Sequence, residues 1–345
     1  MNLTHTGTQP IKTERLLLRK FTMADAEAMF REWAGDEKVT RYLAFDPHKS
    51  LGETRTILAQ WVMEYDELNN YQYAVELQNT GELIGSITVR ITNEKSKRAE
   101  AGYCIGVKYW NRGYASEALR ALIHYMFYDV GINRIEAFHS VNNPASGKVM
   151  QNAGMYREGT CRQKYMSNQG YQDCDTYGLV REDFDKIYTP QTEKFLDLSQ
   201  SKLTGYNLKL DCVEFAKAKR KKNLAPAYSF NICEKNSNTI LGEISLRLGF
   251  NDNLYYGGHI GYFVKSEFRN MGVATIAVNL LLELAREHGF RKLIITNDPM
   301  NTASKRVCEK VGGKLVRIAT LPEWHSLYIG GQRLINIYEI DVTSY

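Results

Sequence analysis

The period of apolar positions switches within one stretch, Glu100 to Phe127. Tyr103, Ile105 and Val107 alternate with their neighbours as in a half-buried strand, whereas Ala118, Leu119, Leu122, Ile123 and Met126 follow helical spacing. Between the two patterns lies Arg112-Gly113-Tyr114-Ala115-Ser116, a turn with small residues. A helix leaves its first four N–H groups without an intrahelical partner, and its dipole adds positive potential there. Such a turn is expected to be a socket for phosphate.

The pattern predicts further elements on either side. Glu14–Lys20 reads as the first strand. Thr22 with Asp25 caps a helix through Ala26, Met29, Phe30 and Trp33, and Ser50 with Glu53 forms a capping box before Ile57, Leu58, Trp61 and Val62. Tyr71–Leu77 and Leu83–Val89 form a hairpin across Asn79-Thr80-Gly81. Strand Arg134–His139 leads to a short helix, Ala145–Asn152, stopped by Gly154. Two strands, about 155–166 and 171–181, then meet at Ser167–Gly170. Beyond them the pattern predicts strands at Phe195–Leu198, Tyr228–Cys233, Ile240–Arg247 and Leu293–Thr296, a helix from Ile276 to about Glu287, and a last strand at Arg333–Ile340.

The chain repeats itself. Gly102-Tyr103 recurs as Gly261-Tyr262, and Gly113-Tyr114-Ala115 as Gly272-Val273-Ala274, each 159 residues on. Asn143-Pro144-Ala145-Ser146 recurs as Asn301-Thr302-Ala303-Ser304, and Leu83-Ile84-Gly85 as Ile240-Leu241-Gly242. Four matches in one order mark a duplicated domain, with a period too long for a solenoid. The expected boundaries are a first domain at 1–185, a polar linker with Pro190 at 186–193, and a second domain at 194–345. About fifty residues separate the first strand from the hairpin in the first copy, against about thirty in the second.

Composition narrows the classes. The 345 residues are 43% hydrophobic and 24% charged, as in an ordinary globular protein of about two domains. A net charge of +5 is too mild to indicate a nucleic-acid binder. No apolar run approaches the ~20 residues of a membrane span. The first residues lack the apolar core of a signal peptide, so a cytoplasmic, reducing location is expected. Six cysteines without a Cys-x-x-Cys pair suggest neither a metal site nor a disulfide framework.

Both copies resemble the GNAT superfamily of acetyl-CoA-dependent N-acetyltransferases, over nearly the whole chain. The family's mark is Arg/Gln-x-x-Gly-x-Gly/Ala, whose amides hold the coenzyme A pyrophosphate. The second copy fits as Arg269-Asn270-Met271-Gly272-Val273-Ala274. The first places Trp110 at the Arg/Gln position, a form similar to the Rim-type branch that includes ribosomal-protein N-terminal acetyltransferases. The resemblance implies an α/β (α+β) fold of two domains, each a mixed, mostly antiparallel splayed sheet flanked by helices. Two helices wall the acceptor site in the Rim-type branch; the shorter second copy is expected to have them reduced. Cofactor contacts are implied for Cys104, Ile105, Val107, Arg112, Gly113, Tyr114, Ala115, Ser116 and Asn143. In the second copy they fall on Phe263, Val264, Arg269, Asn270, Gly272, Val273, Ala274, Thr275, Asn301 and Ser304.

The implied reaction moves an acetyl group to a primary amine, on a protein N-terminus or a small molecule, by direct attack in a ternary complex. An amine of pKa near ~10 must first lose a proton, and the departing thiolate benefits from a donor. Glu100, at the start of the central strand, is the candidate base; its structural alternative is a salt bridge to Arg98 or Arg134. Ser146 is the candidate donor, and it or Asn143 also suits a helix cap. Many relatives carry a tyrosine seven residues after the Asn, where this chain has Met150 and Cys308. His259 matches Glu100 in the second copy and suits a strand-bridging hydrogen bond better than a base. His124 and His288 read as surface or half-buried. Trp33, Tyr42, Phe45 and Trp61 suit either a core or a substrate pocket. The basic run Lys217, Lys219, Arg220, Lys221 and Lys222 reads as a solvated segment. Two other readings stay open: an active second domain, or a non-catalytic acyl-CoA-binding scaffold.

Overall fold

Sixteen strands and ten helices occur among the residues that the computed structural model describes, 2–219 and 224–343. They divide into two compact units, Met1–Glu182 and Asp183–Tyr345.

In the first unit the strands are β1 (Ile11–Lys12), β2 (Leu16–Arg19), β3 (Tyr71–Leu77), β4 (Leu83–Asn93), β5 (Arg98–Ile105), β6 (Arg134–Ser140), β7 (Tyr156–Ser167) and β8 (Gly170–Val180). Their spatial order is β1-β2-β3-β4-β5-β6-β8-β7, antiparallel throughout except for the β5–β6 pair. The capping motif at Thr22 forms, with the Thr22 N–H donating to Asp25 at 2.7 Å. The helix it opens is short: α1 (Ala26–Met29) widens into a π-turn over Phe30–Ala34, followed by α2 (Glu37–Thr40), which periodicity did not predict. Helix α3 (Leu51–Met63) starts where Ser50 accepts from the Glu53 N–H at 3.2 Å. Phe21, Met29, Trp33 and Leu58 form an apolar layer that also covers Cys104 on β5. Leu58 is fully buried there, and its truncation to Ala should cost ~2–5 kcal/mol. Trp33 belongs to this core; Trp61 packs on it, whereas Phe45 is exposed. Helices α4 (Tyr114–Tyr125) and α5 (Pro144–Asn152) pack against β5 and β6 respectively.

Helix α6 (Arg181–Lys186) spans the point where the units divide. Residues 186–193, read as a linker from their polarity, fall inside the second unit, and Tyr188 is buried among them with its ring 4.9 Å from that of Phe250. The second unit's strands are β9 (Thr204–Gly205), β10 (Leu208–Ala216), β11 (Ala227–Glu234), β12 (Ile240–Arg247), β13 (Ile260–Val264), β14 (Lys292–Asn297), β15 (Lys314–Thr320) and β16 (Leu334–Asp341). They form an antiparallel run β9-β10-β11-β12-β13 and an antiparallel group β14-β16-β15. Helix α7 (Asp252–Gly257) precedes the central strand, α8 (Val273–Glu287) and α9 (Thr302–Lys310) follow it, and α10 (Ser326–Ile329) lies near the end.

The expected strand at Phe195–Leu198 is absent. Phe195 packs on Phe215 and Tyr228, and the Leu196 N–H donates to the Tyr228 hydroxyl at 2.7 Å in place of a ladder bond. Aromatic anchoring produced the apolar pattern there. His124 and His288 are also corrected: both are fully buried, and His288 Nδ1 lies 2.9 Å from the Thr192 carbonyl. Lys217 and Lys219 are exposed, and Arg220, Lys221 and Lys222 lie outside the described residues. Between β10 and β11 the described residues, 217–219 and 224–226, form no helix. No described helix is long and apolar enough to cross a membrane.

Candidate functional site

The central strand of the first unit is paired unequally on its two sides. Toward β4 the ladder runs to Ile105, opposite Gly85; toward β6 it stops at Glu100, opposite Glu136. Beyond that rung β5 and β6 separate, and the edge carrying Tyr103, Cys104 and Ile105 has no ladder partner toward β6. Backbone groups must be satisfied somewhere, so this edge is suited to accept an extended, amide-bearing ligand. In the second unit the opening is wider. The His259 N–H donates to the Ile294 carbonyl at 2.7 Å, but β13 and β14 share no ladder among the described residues.

Both wedges end in the same turn. Asn111 and Asn270 have φ of 59° and 62°, and Gly113 and Gly272 both have φ 80° and ψ 0°. Two left-handed residues two positions apart turn successive N–H groups toward one side, forming an anion nest. The first amide bonded to the start of the helix is Glu117, to Gly113 O at 3.0 Å, and in the second copy Ile276, to Gly272 O at 3.1 Å. The amides of Tyr114, Ala115 and Ser116, and of Val273, Ala274 and Thr275, fall in the first turn, where helices lack internal acceptors. A Cβ at Gly113 would meet only an Arg15 nitrogen, at 3.4 Å, and one at Gly272 would meet nothing within 4 Å. Both cradles are open on the side a diphosphate would occupy, so the residues fit the expected coenzyme.

Trp110 and Arg269 hold equivalent places by equivalent bonds. The Trp110 ring N–H donates to the Ile105 carbonyl at 2.6 Å, and Arg269 Nε donates to the Val264 carbonyl at 3.1 Å. Each ties the turn to the end of its central strand. The position requires a side-chain N–H donor, which explains why an indole can replace the motif's Arg or Gln. Arg269 lies over the Phe263 ring at 5.8 Å. Arg15 braces the first turn: its Nε donates to Glu117 at 2.6 Å and its Nη1 to the Arg112 carbonyl at 3.0 Å, with the guanidinium over Tyr114. Sequence reasoning missed Arg15, because it lies in the bend before β2, about a hundred residues from the turn it braces.

Two tyrosines were missed as well. The Tyr103 hydroxyl lies 2.8 Å from the Ser146 carbonyl and 2.9 Å from Ser146 Oγ; the Tyr262 hydroxyl lies 2.8 Å from Ser304 Oγ. The Tyr103 O–H donates to the Ser146 carbonyl, and between the two hydroxyls either oxygen can donate, so the Ser146 proton is not committed to the phenol. Burial raises Tyr103 and pushes Tyr262 up to about 12, keeping both phenols protonated. Their signal was the repeated Gly-Tyr pair. Asn301 caps α9 by accepting from the Ser304 N–H at 3.0 Å, whereas the Asn143 side chain makes no cap bond to α5. Met150 and Cys308 are buried, and burial pushes the Cys308 thiol up to about 11. Cys104 is likewise raised by burial and meets Ser86 at 3.3 Å, so it faces the apolar layer and offers the wedge only its backbone. Val107 lies in the short 3-10 turn that joins β5 to the socket.

Glu100 lies on the same face of β5 as Cys104, two residues apart by strand alternation from Gly102, and so faces the α1–α3 side. Neither expected salt bridge forms. Arg134 is engaged by Glu136 at 2.6 Å and Glu158 at 2.5 Å, and Arg98 Nε donates to Thr92. Glu100 lines a cavity of about 160 Å³ with Arg134, Glu136, Phe138, Glu158 and Lys164. His259 is fully buried and bridges strands as expected. Its Nδ1 accepts from the Ile294 N–H at 2.9 Å and its Nε2 donates to the Tyr188 carbonyl at 3.0 Å. Burial holds its pKa down at about 4, so the ring is neutral and both nitrogens are occupied.

Residues 15–156 and 179–314 each match the family described as acetyltransferase (GNAT) domain. A Bacillus subtilis (strain 168) protein, bearing the name uncharacterized N-acetyltransferase YoaA, is 33% identical over 171 residues, covering 50% of this chain and 96% of its own. The ribosomal-protein-serine acetyltransferase of Escherichia coli (strain K12) is 32% identical over 99 residues, 29% of this chain and 55% of its own. Among solved structures, an acetyltransferase (GNAT family) from Bacillus anthracis is 30% identical with a TM-score of 0.45, over 50% of this chain and 99% of its own.

Proposed function

Given that this chain belongs to the GNAT acetyltransferase family, we propose that its first domain moves an acetyl group from acetyl-CoA to a primary amine. Bound acetyl-CoA would supply the acetyl group as an activated thioester. The amides from Arg112 to Ser116 hold the diphosphate, aided by the helix dipole, which contributes ~0.3–2 kcal/mol. The free edge of β5, at Tyr103 to Ile105, positions the extended arm in the wedge. Arg15 and Trp110 keep that socket in register with the strand.

Glu100 Oε takes the amine proton, directly or through one water. The observation that carries this reading is its place at the last paired rung before the wedge, on the α1–α3 face, without a salt-bridge partner among the described residues. Ser146 Oγ–H, backed by Tyr103, supplies the proton the departing sulfur needs. A positioned acid or base contributes ~10²–10⁴-fold in rate. The acceptor is a primary amine of a protein N-terminus or a small molecule.

The test is release of free thiol from acetyl-CoA against a panel of small amines and N-terminal peptides. Turnover with at least one acceptor, lost in Glu100→Gln, supports the assignment. Coenzyme binding without thiol release on any acceptor would favour the non-catalytic reading.

A further inference from the structure

The β9–β13 sheet has two unlike faces. Tyr228, Phe230, Ile232, Ile244 and Leu246 join the apolar core with α8, while Ser229, Asn231, Glu243, Ser245 and Arg247 alternate with them on the other side. In the first unit the corresponding face is covered by the apolar layer of α1 and α3. In the second it opens into a cavity of about 510 Å³.

Among the described residues Arg247 is the one cation lining that cavity. It is half-buried and forms no ion pair among the described residues, and Nη1 donates to the Gly258 carbonyl at 3.1 Å. A Cβ on Gly261 would lie 3.1 Å from one guanidinium nitrogen and 3.3 Å from the other, so the group rests against β13 in space that glycine leaves. Glu243 also lines the cavity, but it is four residues away along the strand, roughly 13 Å by strand rise. Glu214 lies two strands away, on β10. Burial lowers the Arg247 pKa, yet a guanidinium stays charged in proteins.

The repeat identifies what is missing. Arg90 on β4 stands opposite Glu100 on β5, and in the second copy the Arg247 N–H donates to the carbonyl of His259 at 2.8 Å. The rung that sets a carboxylate across from the arginine in copy one, with no ion pair between them among the described residues, thus carries a neutral, fully engaged imidazole in copy two.

We propose that the second domain is a receptor for a small carboxylate held by Arg247 over Gly261, and not a second amine-acetylating site. The fork of guanidinium N–H groups matches a planar carboxylate, and Ser245 and Asn231 line the same cavity as neutral partners. The same cation repels an ammonium group approaching the central strand. Glu243 and Glu214 disfavour a phosphate dianion and favour a ligand whose positive charge is remote from its carboxylate, such as a short peptide with a free C-terminus.

Calorimetric titration of the full chain with triglycine, triglycine amide and inorganic phosphate tests this directly. Triglycine should bind in the millimolar range or tighter, and the amide roughly tenfold or more weakly, as expected for loss of a charge-assisted bond. Arg247→Gln should abolish the difference, and Arg247→Lys should keep part of it; thiol release by the first domain should be unchanged in both. Because Arg247 lies in the second unit, circular dichroism and the unfolding midpoint of each variant report its folding, and the binding readout stands whether or not the first domain acetylates. If Arg247→Gln fails to fold, Arg247→Lys alone must still weaken triglycine binding. No binding of triglycine, equal binding of its amide, tighter binding of phosphate, or full binding by the Arg247 variants would overturn the proposal.

Discussion

Replacing Gly113 separates the two contributions to the proposed diphosphate socket. Gly113 has φ 80°, and a Cβ there meets only an Arg15 nitrogen at 3.4 Å, so space is available and backbone conformation is the obstacle. A non-glycine residue in the left-handed region costs ~1–2 kcal/mol. Gly113→Ala should therefore weaken coenzyme A binding by roughly 5- to 30-fold, through a loop that relaxes before the ligand arrives. Gly113→Asp adds a negative charge beside the socket. At ~6 Å from a phosphate it repels by ~0.7 kcal/mol in bulk water and ~3 kcal/mol at the effective dielectric of a protein surface. Arg15 offsets little of this, being already paired with Glu117 at 2.6 Å. The expected loss is ~10²-fold or more at low salt, shrinking as salt screens the charge. Calorimetry with coenzyme A at two ionic strengths measures both parts. Wild type should show two sites, and Gly113→Asp should retain the one in the second domain. An unchanged first-site affinity in Gly113→Asp, or equal effects of Ala and Asp, would refute an anion socket here.

Glu100→Gln should lower turnover by ~10²–10⁴-fold while shifting the melting temperature little, because Glu100 has no ion pair to lose; full activity across the pH range would remove it as the base. Tyr103→Phe and Ser146→Ala should each lower kcat with little change in coenzyme affinity, and the double variant should cost less than the combined single effects, since they share one hydrogen bond. The buried His259, held near a pKa of about 4, stabilises the fold fully above the ordinary histidine range. That stability falls as pH drops from about 6.5 toward 4, by up to ~3 kcal/mol, because only the unfolded chain binds the proton there. Denaturation of wild type and His259→Gln between those pH values checks it; identical pH slopes would refute it. In a full-length Glu100→Gln/Gly113→Asp chain we expect coenzyme binding at the second site but no thiol release, so retained turnover would reassign the active half.

The amino-acid sequence determined the duplicated architecture, the family and both glycine turns between strand and helix, because these rest on local chemistry. Gly113 and Gly272 must adopt a left-handed conformation that few other residues tolerate, and the strand-to-helix change of period is visible in any short window. Ser50 with Glu53 marked a helix start for the same reason. Where apolar content came from packing across long separations, the pattern misled. Phe195–Leu198 looks like a strand but is anchored by Tyr228, and polar residues 186–193 include the buried Tyr188. The tertiary structure alone decided which rung is the last before β5 and β6 part, since strand separation is a property of pairing and not of either strand. It also decided that Trp110 and Arg269 perform one task, that Tyr103 reaches Ser146 across 43 residues, and that Arg247 stands without the carboxylate its counterpart faces. Each depends on distances between groups remote in the chain, which composition and periodicity do not encode.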